Sequence, residues 1–599
     1  LYRSGSPERT NLETLVAEVI NKKGPLADAL RHVRVAAWII GIFSFAMNLL
    51  VLASPIYMMQ VYDRVIPTGN GATLILLTLI ICSALAVMAA LDAIRSMMLT
   101  RIGAWLDSKL ARPVIEASVL RTVRQGSPFG ALGLRDIATL RQLVGGPALV
   151  PLFDAPWAPI FLAIVFLVHP VLGWISVFGA IVLAGLAYLN ERRSREALQE
   201  SNKASARAFA EADMTIRNAD TIVAMGMLPG ILHRWHDLND ESAAHLEKAN
   251  DQMSWISSTA KFWRLLLQVG ILGAGAWLVV HREMTGGAMI AASIIMGRAV
   301  APFEQAISVW KVLISAQASY RRLKELLQTM GDSTPATLLP RPKGRVTAEQ
   351  VTYGPPGAPE PTVQQVSFAV EPGETLAIIG PSGAGKTTLS RLLVGSLVPF
   401  RGAVRLDGAD MVAWEPTDRG RYMGYLPQTV DLFAGTVREN IARFGEASDE
   451  DIIAAAQTAG AHDLILNLPK GYDTPIGDGR WNLSGGQRQM VGLARAFFGK
   501  PSFIVLDEPN SNLDSAGEQA LASAIRTAKE QKISVAVVTQ RPNLLVLADK
   551  VLVMRNGRVE LLGPRDEVLA KMGWNVGGQP APIRGPRPLA SVQVAQDSL

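Results

Sequence analysis

The feature that most constrains this chain is a set of long segments with no charged side chain, all in its first half. Val35 to Tyr62 has none, Val65 to Leu91 has none, and Ala155 to Asn190 carries only the neutral His169. A hydrocarbon core about 30 Å thick takes about 20 helical residues to cross. The third run is therefore too long for one crossing, and it divides at His169-Pro170 into a hairpin of two. A less uniformly apolar pair follows, around Leu265–Val280 and Gly287–Phe303. The pattern predicts six membrane-spanning helices. A single such run fits the buried helix of a soluble core, but this succession does not. It overrides the prior of about 150 residues per soluble domain.

The net charge is +6, and its distribution argues against nucleic acid. Arg95, Arg101, Lys109, Arg112, Arg121, Arg124, Arg135 and Arg141 lie between the second and third predicted spans. Between the fourth and fifth lie Arg192, Arg193, Arg195, Lys203, Arg207, Arg217, Arg234, Lys248 and Lys261. The short loops facing the other way hold little more than Arg64 and Arg282. That asymmetry is the positive-inside rule, which places both long segments and both termini in the cytoplasm. Cys82 is the only cysteine, so no intrachain disulfide forms, and a small apolar packing role suits it. The first 34 residues are polar and mixed in charge, without the pattern of a cleavable signal peptide.

Along the chain, residues 1–34 read as a cytoplasmic segment, amphipathic around Leu12–Val19 and broken at Gly24-Pro25. Residues 35–325 form the predicted membrane domain. Its intracellular segments, rich in Ala, Leu, Arg and Glu, read as long helices continuing below the bilayer. Gly331 to Pro335 and Pro340-Arg341-Pro342 mark a linker over 326–344. Residues 345–572 alternate strands with helices, and 573–599 are rich in Pro and Gly and read as a disordered tail.

The chemistry sits in the second half. Gly380-Pro381-Ser382-Gly383-Ala384-Gly385-Lys386-Thr387, followed by Thr388, is a phosphate loop, G-x-x-x-x-G-K-[ST]. The apolar strand Thr375–Ile379 delivers the chain into it. Glycines let backbone N–H groups close around phosphate oxygens, and the helix that follows adds its positive dipole end. Lys386 is placed for the β- and γ-phosphates, and the Thr387 hydroxyl for Mg²⁺. Downstream, Phe503-Ile504-Val505-Leu506-Asp507-Glu508 ends a hydrophobic strand in two carboxylates, and Asn482-Leu483-Ser484-Gly485-Gly486-Gln487-Arg488-Gln489 lies between.

Together these motifs resemble the ATP-binding-cassette (ABC) family in order and spacing. The resemblance implies an α/β P-loop ATPase domain fused to a helical membrane domain of six spans, like a type I ABC exporter. It implies ATP and Mg²⁺ as cofactors and adenine stacking on Tyr353. It makes Asp507 and Gln428 Mg²⁺-contacting groups beside Thr387, and Glu508 the base that orients water. A structural salt bridge is the plainer role for those carboxylates. Ser484, Gly485, Gly486 and Gln487 are expected at the γ-phosphate held by an opposite subunit, and Ser511–Asp514 in the loop linking the two sites. One cassette per chain then implies a homodimer.

One position departs from the family pattern. Val537-Val538-Thr539-Gln540 has glutamine where relatives usually carry the histidine that touches the γ-phosphate. Glutamine donates a hydrogen bond but never becomes cationic. Turnover, not ATP binding, is the property this puts in question.

The runs Asn48 to Val65 and Phe153-Asp154-Ala155-Pro156-Trp157 on to His169-Pro170 resemble type I secretion exporters of the protease and RTX-protein branch. So does Asp507-Glu508-Pro509-Asn510-Ser511-Asn512-Leu513-Asp514. That resemblance implies a multi-pass protein of the bacterial inner membrane, in contact with membrane lipid and with no nucleic-acid partner. It further implies a periplasmic membrane-fusion protein, an outer-membrane tunnel and a secreted polypeptide as partners. An exporter of lipid or small molecules shares the same cassette. A poorly hydrolysing, nucleotide-gated scaffold is the reading Gln540 favours. Asp154, Arg298 and Glu304 are ionisable groups in or beside spans, where lipid exposure is costly, so pairing or a conduit face is expected of each.

Overall fold

The computed structural model describes residues 25–125, 132–328, 339–477 and 483–573. The amphipathic stretch around Leu12–Val19, much of the linker, Asn482 and the tail beyond Gly573 lie outside the described residues. The chain divides into two compact units, one running to Gly331 (apart from Val123–Gly126) and one from Asp332 onward.

Among the described residues of the first unit, six helical segments are long and apolar enough to cross a membrane: Leu26–Thr68, Gly71–Arg124, Pro147–Val168, Pro170–Arg217, Leu228–Val280 and Gly286–Gln328. The predicted hairpin break falls at His169. That residue is extended, as a residue before proline tends to be, and its ring accepts a hydrogen bond from the Val171 N–H. Pro170 then opens the next helix, where its missing N–H costs nothing. The longest helices, 55 residues at Gly71–Gln125 and 53 at Leu228–Val280, run far beyond what a bilayer needs.

The first helix begins at Pro25, ahead of the apolar run that suggested residue 35. Its opening turn is anchored by packing: Leu26 and Ala29 are buried with Leu106, Leu110, Ile137 and Leu323. Likewise the last helix continues to Gln328, because Leu323 and Leu326 remain in that cluster.

Of the three ionisable groups in or beside spans, Asp154 and Glu304 are paired. Asp154 accepts from Ser44 and from Asn48 Nδ2 at 3.0 Å, and lies 3.6 Å from buried Arg95, which also pairs with Asp92 at 2.8 Å. Glu304 pairs with Arg264 at 2.9 Å. Buried charge persists where such partners replace water.

The described residues of the second unit contain twelve strands: β1 Val346–Tyr353, β2 Val363–Val370, β3 Thr375–Ile379, β4 Arg401–Leu406, β5 Ala409–Asp410, β6 Met423–Leu426, β7 Gly435–Thr436, β8 Pro475–Ile476, β9 Phe503–Asp507, β10 Ser534–Val538, β11 Lys550–Arg555 and β12 Arg558–Pro564. An antiparallel sheet runs β2-β1-β4-β5, and a six-stranded sheet runs β12-β11-β3-β10-β9-β6. In the latter, β11, β3, β10, β9 and β6 are parallel, with β12 antiparallel at the edge. Every residue of β3, β9 and β10 is buried, which explains why each is apolar but for one end residue (Thr375, Asp507 and Ser534): both faces of this sheet are covered. Parallel strands place all their carboxyl ends at one edge of the sheet, the usual ligand site of such folds.

Candidate active site

At that edge β3 enters the phosphate loop, and the helix Lys386–Leu393 leaves it. Gly380 and Gly385 have φ of 151° and 93°, in the region that favours glycine. A Cβ on Gly380 would stand 2.2 Å from the Met554 carbonyl oxygen, and one on Gly385 2.6 Å from that of Thr362. Pro381, Ser382 and Gly383 form the exposed rim, Ala384 is buried behind it, and Thr388 is half-buried in the first helical turn. Lys386 is buried. Its ammonium donates to the carbonyls of Gly380 and Pro381, each at 2.8 Å, and so stands inside the loop.

Asp507 ends β9 fully buried. Its Oδ1 accepts from the Thr387 hydroxyl at 3.4 Å and its Oδ2 from Ser390 at 3.1 Å. Burial pushes this carboxyl up from its ordinary value, with Glu508's charge adding, while the Ser390 and Thr387 hydrogen bonds pull it down. Ser390 lies one helical turn beyond Thr387, on the same face. The i+3 spacing was the available signal for it.

Glu508 follows at φ 48°, left-handed for a residue with a Cβ, and its N–H donates to Val538 of β10 at 3.0 Å. Such a conformation costs about 1–3 kcal/mol and is held only by its surroundings. Its Oε2 accepts from Gln428 Nε2 at 2.9 Å, tying the end of β6 to the end of β9. Gln540, past the end of β10, donates from Nε2 to the Gly380 carbonyl at 3.2 Å. Thus the phosphate loop, Gln428, Asp507, Glu508 and Gln540 converge within one protomer.

The residues fit a nucleoside triphosphate and its divalent cation. The loop admits no side-chain bulk at Gly380 and Gly385. A buried ammonium stands inside it, and a hydroxyl and a carboxylate meet where a hard cation takes oxygen ligands.

Ser484 to Gln487, the signature turn of the Asn482–Gln489 motif, form a separate structure. Ser484 caps the helix Gly485–Phe497: its hydroxyl accepts from the Gln487 N–H at 3.2 Å, and the Gln487 side chain accepts from the Ser484 N–H at 2.9 Å. This is a capping box, legible as S-x-x-Q. A Cβ on Gly486 would stand 2.9 Å from the Asn512 carbonyl oxygen, so the turn lies close against the Ser511–Asp514 loop. Buried Gln489 donates to the Pro509 carbonyl at 3.0 Å. Among the described residues no hydrogen bond joins Ser484–Gln487 to the phosphate loop.

The far end of this helix is held by Arg443. Its Nε and Nη2 donate to Arg495 O at 3.0 and 2.9 Å, and Nη2 also to Ala496 O and Phe498 O at 3.3 and 3.1 Å. Its Nη1 donates to Met423 O, at the start of β6, at 3.1 Å and to Gly420 O. Burial pulls the guanidinium down to about 10, with the Arg495 charge adding. No sequence motif pointed to it.

Tyr353 ends β1 almost wholly buried, and its ring stacks on Phe400 with centroids 5.5 Å apart. The exposed member of the pair is Phe400. Sequence reasoning missed that residue, because its contact is made across the sheet by a loop before β4.

Comparisons with known proteins agree with this arrangement. Residues 37–301 match the model of the ABC transporter transmembrane region, and residues 363–511 that of the ABC transporter. The Type I secretion system ATP-binding protein PrsD of Rhizobium meliloti is 42% identical, over 92% of this chain and 95% of its own. The Cyclolysin secretion/processing ATP-binding protein CyaB of Bordetella pertussis is 29% identical, over 89% of this chain and 75% of its own. The Alpha-hemolysin translocation ATP-binding protein HlyB of Escherichia coli is 26% identical, over 90% and 77%. The solved structure of a bacterial Atm1-family ABC exporter with ATP bound superposes with a TM-score of 0.74 at 23% identity, covering 91% of this chain and 97% of that one, a likeness of fold. With membrane spans of the matching region in one unit and a phosphate loop, signature turn and paired carboxylates in the other, the chain belongs to the ABC transporter family.

Proposed function

We propose that this chain is the ATP-hydrolysing permease of a type I secretion system, moving unfolded polypeptide out of the bacterial cytoplasm across the inner membrane as a homodimer. The observation that carries the reading is the 42% identity to PrsD along almost the full length of both chains. A periplasmic membrane-fusion protein and an outer-membrane tunnel complete the path in this reading.

Mg-ATP supplies the free energy. Lys386 and the loop hold its phosphates, while Thr387 and Asp507 offer the cation their oxygens. Gln428 orients Glu508, whose carboxylate aligns and polarises the attacking water. The second copy's Ser484 and Gly486 close on the γ-phosphate. Among the described residues of one protomer, Ser484 hydrogen-bonds only within its own turn, and it is exposed.

Glu508→Gln removes the base while keeping the hydrogen bond to Gln428. It is expected to lower steady-state hydrolysis by about 10²- to 10⁴-fold, with ATP binding retained. Secretion is tested in vesicles: ATPase stimulated by the carboxy-terminal segment of a secreted protein and unaffected by hydrophobic drugs supports it. Stimulation by drugs or lipid alone would make the chain a small-molecule exporter.

A further inference from the structure

The six spans do not present the same kind of surface. Five expose large apolar side chains suited to lipid: Trp38 on the first, Leu79 on the second, Ile160 and Leu167 on the third, Phe178 on the fourth, Val269 on the fifth. The last helix, Gly286–Gln328, exposes none. Its exposed residues are Arg298, Gln305, Ser308, Arg321, Glu325 and Gln328, all polar or charged. At 100° per residue, Arg298, Gln305 and Ser308 fall within about 80° of one another around the axis, so they form one face.

Depth makes this face informative. At 1.5 Å per residue from Gly286, Arg298 lies about 18 Å beyond the helix start, inside a hydrocarbon core about 30 Å thick, while Gln305 at about 28 Å and Ser308 at about 33 Å carry the same face to its inner edge and just past it. Asp154, Arg95, Glu304 and Arg264 answer their charges with partners. Arg298 has no hydrogen-bond or ion-pair partner among the described residues. An unpaired guanidinium at that depth has to face water or an anion, because lipid offers neither.

We propose that the Arg298–Gln305–Ser308 face lines a water-filled conduit, and that Arg298 makes it electropositive, favouring carboxylate-bearing stretches of the polypeptide in transit. A homodimer sets two such guanidiniums across one lumen. The assignment rests on solute passing between the spans, and it names the part of the path where the cargo's charge is read.

The test uses full-length protein in membranes, with Cys82→Ser removing the native thiol. Single cysteines at Arg298→Cys, Gln305→Cys and Ser308→Cys are probed with anionic and cationic aqueous thiosulfonate reagents, and lipid-facing Leu79→Cys is the reference. ATPase activity confirms that each variant is folded. The three face positions should react much faster than Leu79→Cys. The Gln305→Cys thiol, about 10 Å from Arg298 along the helix, should prefer the anionic reagent. Adding Arg298→Gln should lower that preference by about 3- to 10-fold, the size of a partly screened single charge at this range. Face positions as inert as Leu79→Cys would mean a dry surface and overturn the proposal, as would a preference indifferent to Arg298. Labelling does not depend on the cargo, so the conduit can stand even where no polypeptide export is found.

Discussion

The phosphate loop and the signature turn both lie at helix N-termini, yet their polar groups are deployed in opposite ways. In the loop, Lys386, Thr387, Asp507, Gln428, Glu508 and Gln540 contact one another or the loop backbone, so these polar groups converge inside one protomer. In the signature turn, Ser484 and Gln487 satisfy each other, and Gly485 and Gly486 keep the surface low. One element is a pocket in itself; the other is a pre-shaped surface that, in the proposed homodimer, would meet a ligand held by the second copy. The difference teaches that affinity and turnover should respond separately to changes in the two.

Lys386→Ala breaks the comparison on the pocket side. Removing a buried hydrogen-bonded cation should cost about 2–5 kcal/mol of ATP affinity, read by equilibrium binding to the protein in detergent. Ser484→Ala breaks it on the other side. ATP affinity at low protein concentration should hold within about threefold, while hydrolysis falls by about 10²-fold, the usual effect of deleting one oriented donor. Equal losses of affinity in both variants would end the distinction. The cap itself is worth about 1 kcal/mol, so thermal melting separates a loosened helix from a lost contact. Gln540→His sharpens the picture most gently. An imidazole there should raise steady-state hydrolysis by about tenfold, below the 10²- to 10⁴-fold of a full proton-transfer role, with ATP affinity unchanged. An unchanged rate would show that another step limits turnover.

Much of this was legible in the sequence because it is local. The uncharged runs gave the spans, and His169-Pro170 gave the break between two of them. The apolar strands that stop just before Gly380 and Glu508 put the phosphate loop and the carboxylates at one sheet edge. What stayed hidden depends on contacts between distant segments. Ser44, Asn48 and Arg95 surround Asp154 from helices far away in sequence, and no periodicity announces them. Phe400 meets Tyr353 only after the antiparallel sheet has formed. In the sequence Arg298 is indistinguishable from Asp154 and Glu304; the structure separates the solitary charge from the two paired ones.

The arginine clasp at position 443 has a consequence for how variants of this transporter are judged. A chain that lost that guanidinium would keep each recognised nucleotide motif and pass any motif-based screen. It would nonetheless carry its signature on a rod whose far end had come untied from the strand leading to Gln428. Genomes should therefore hold cassettes that look intact letter by letter and run slowly for want of a mooring.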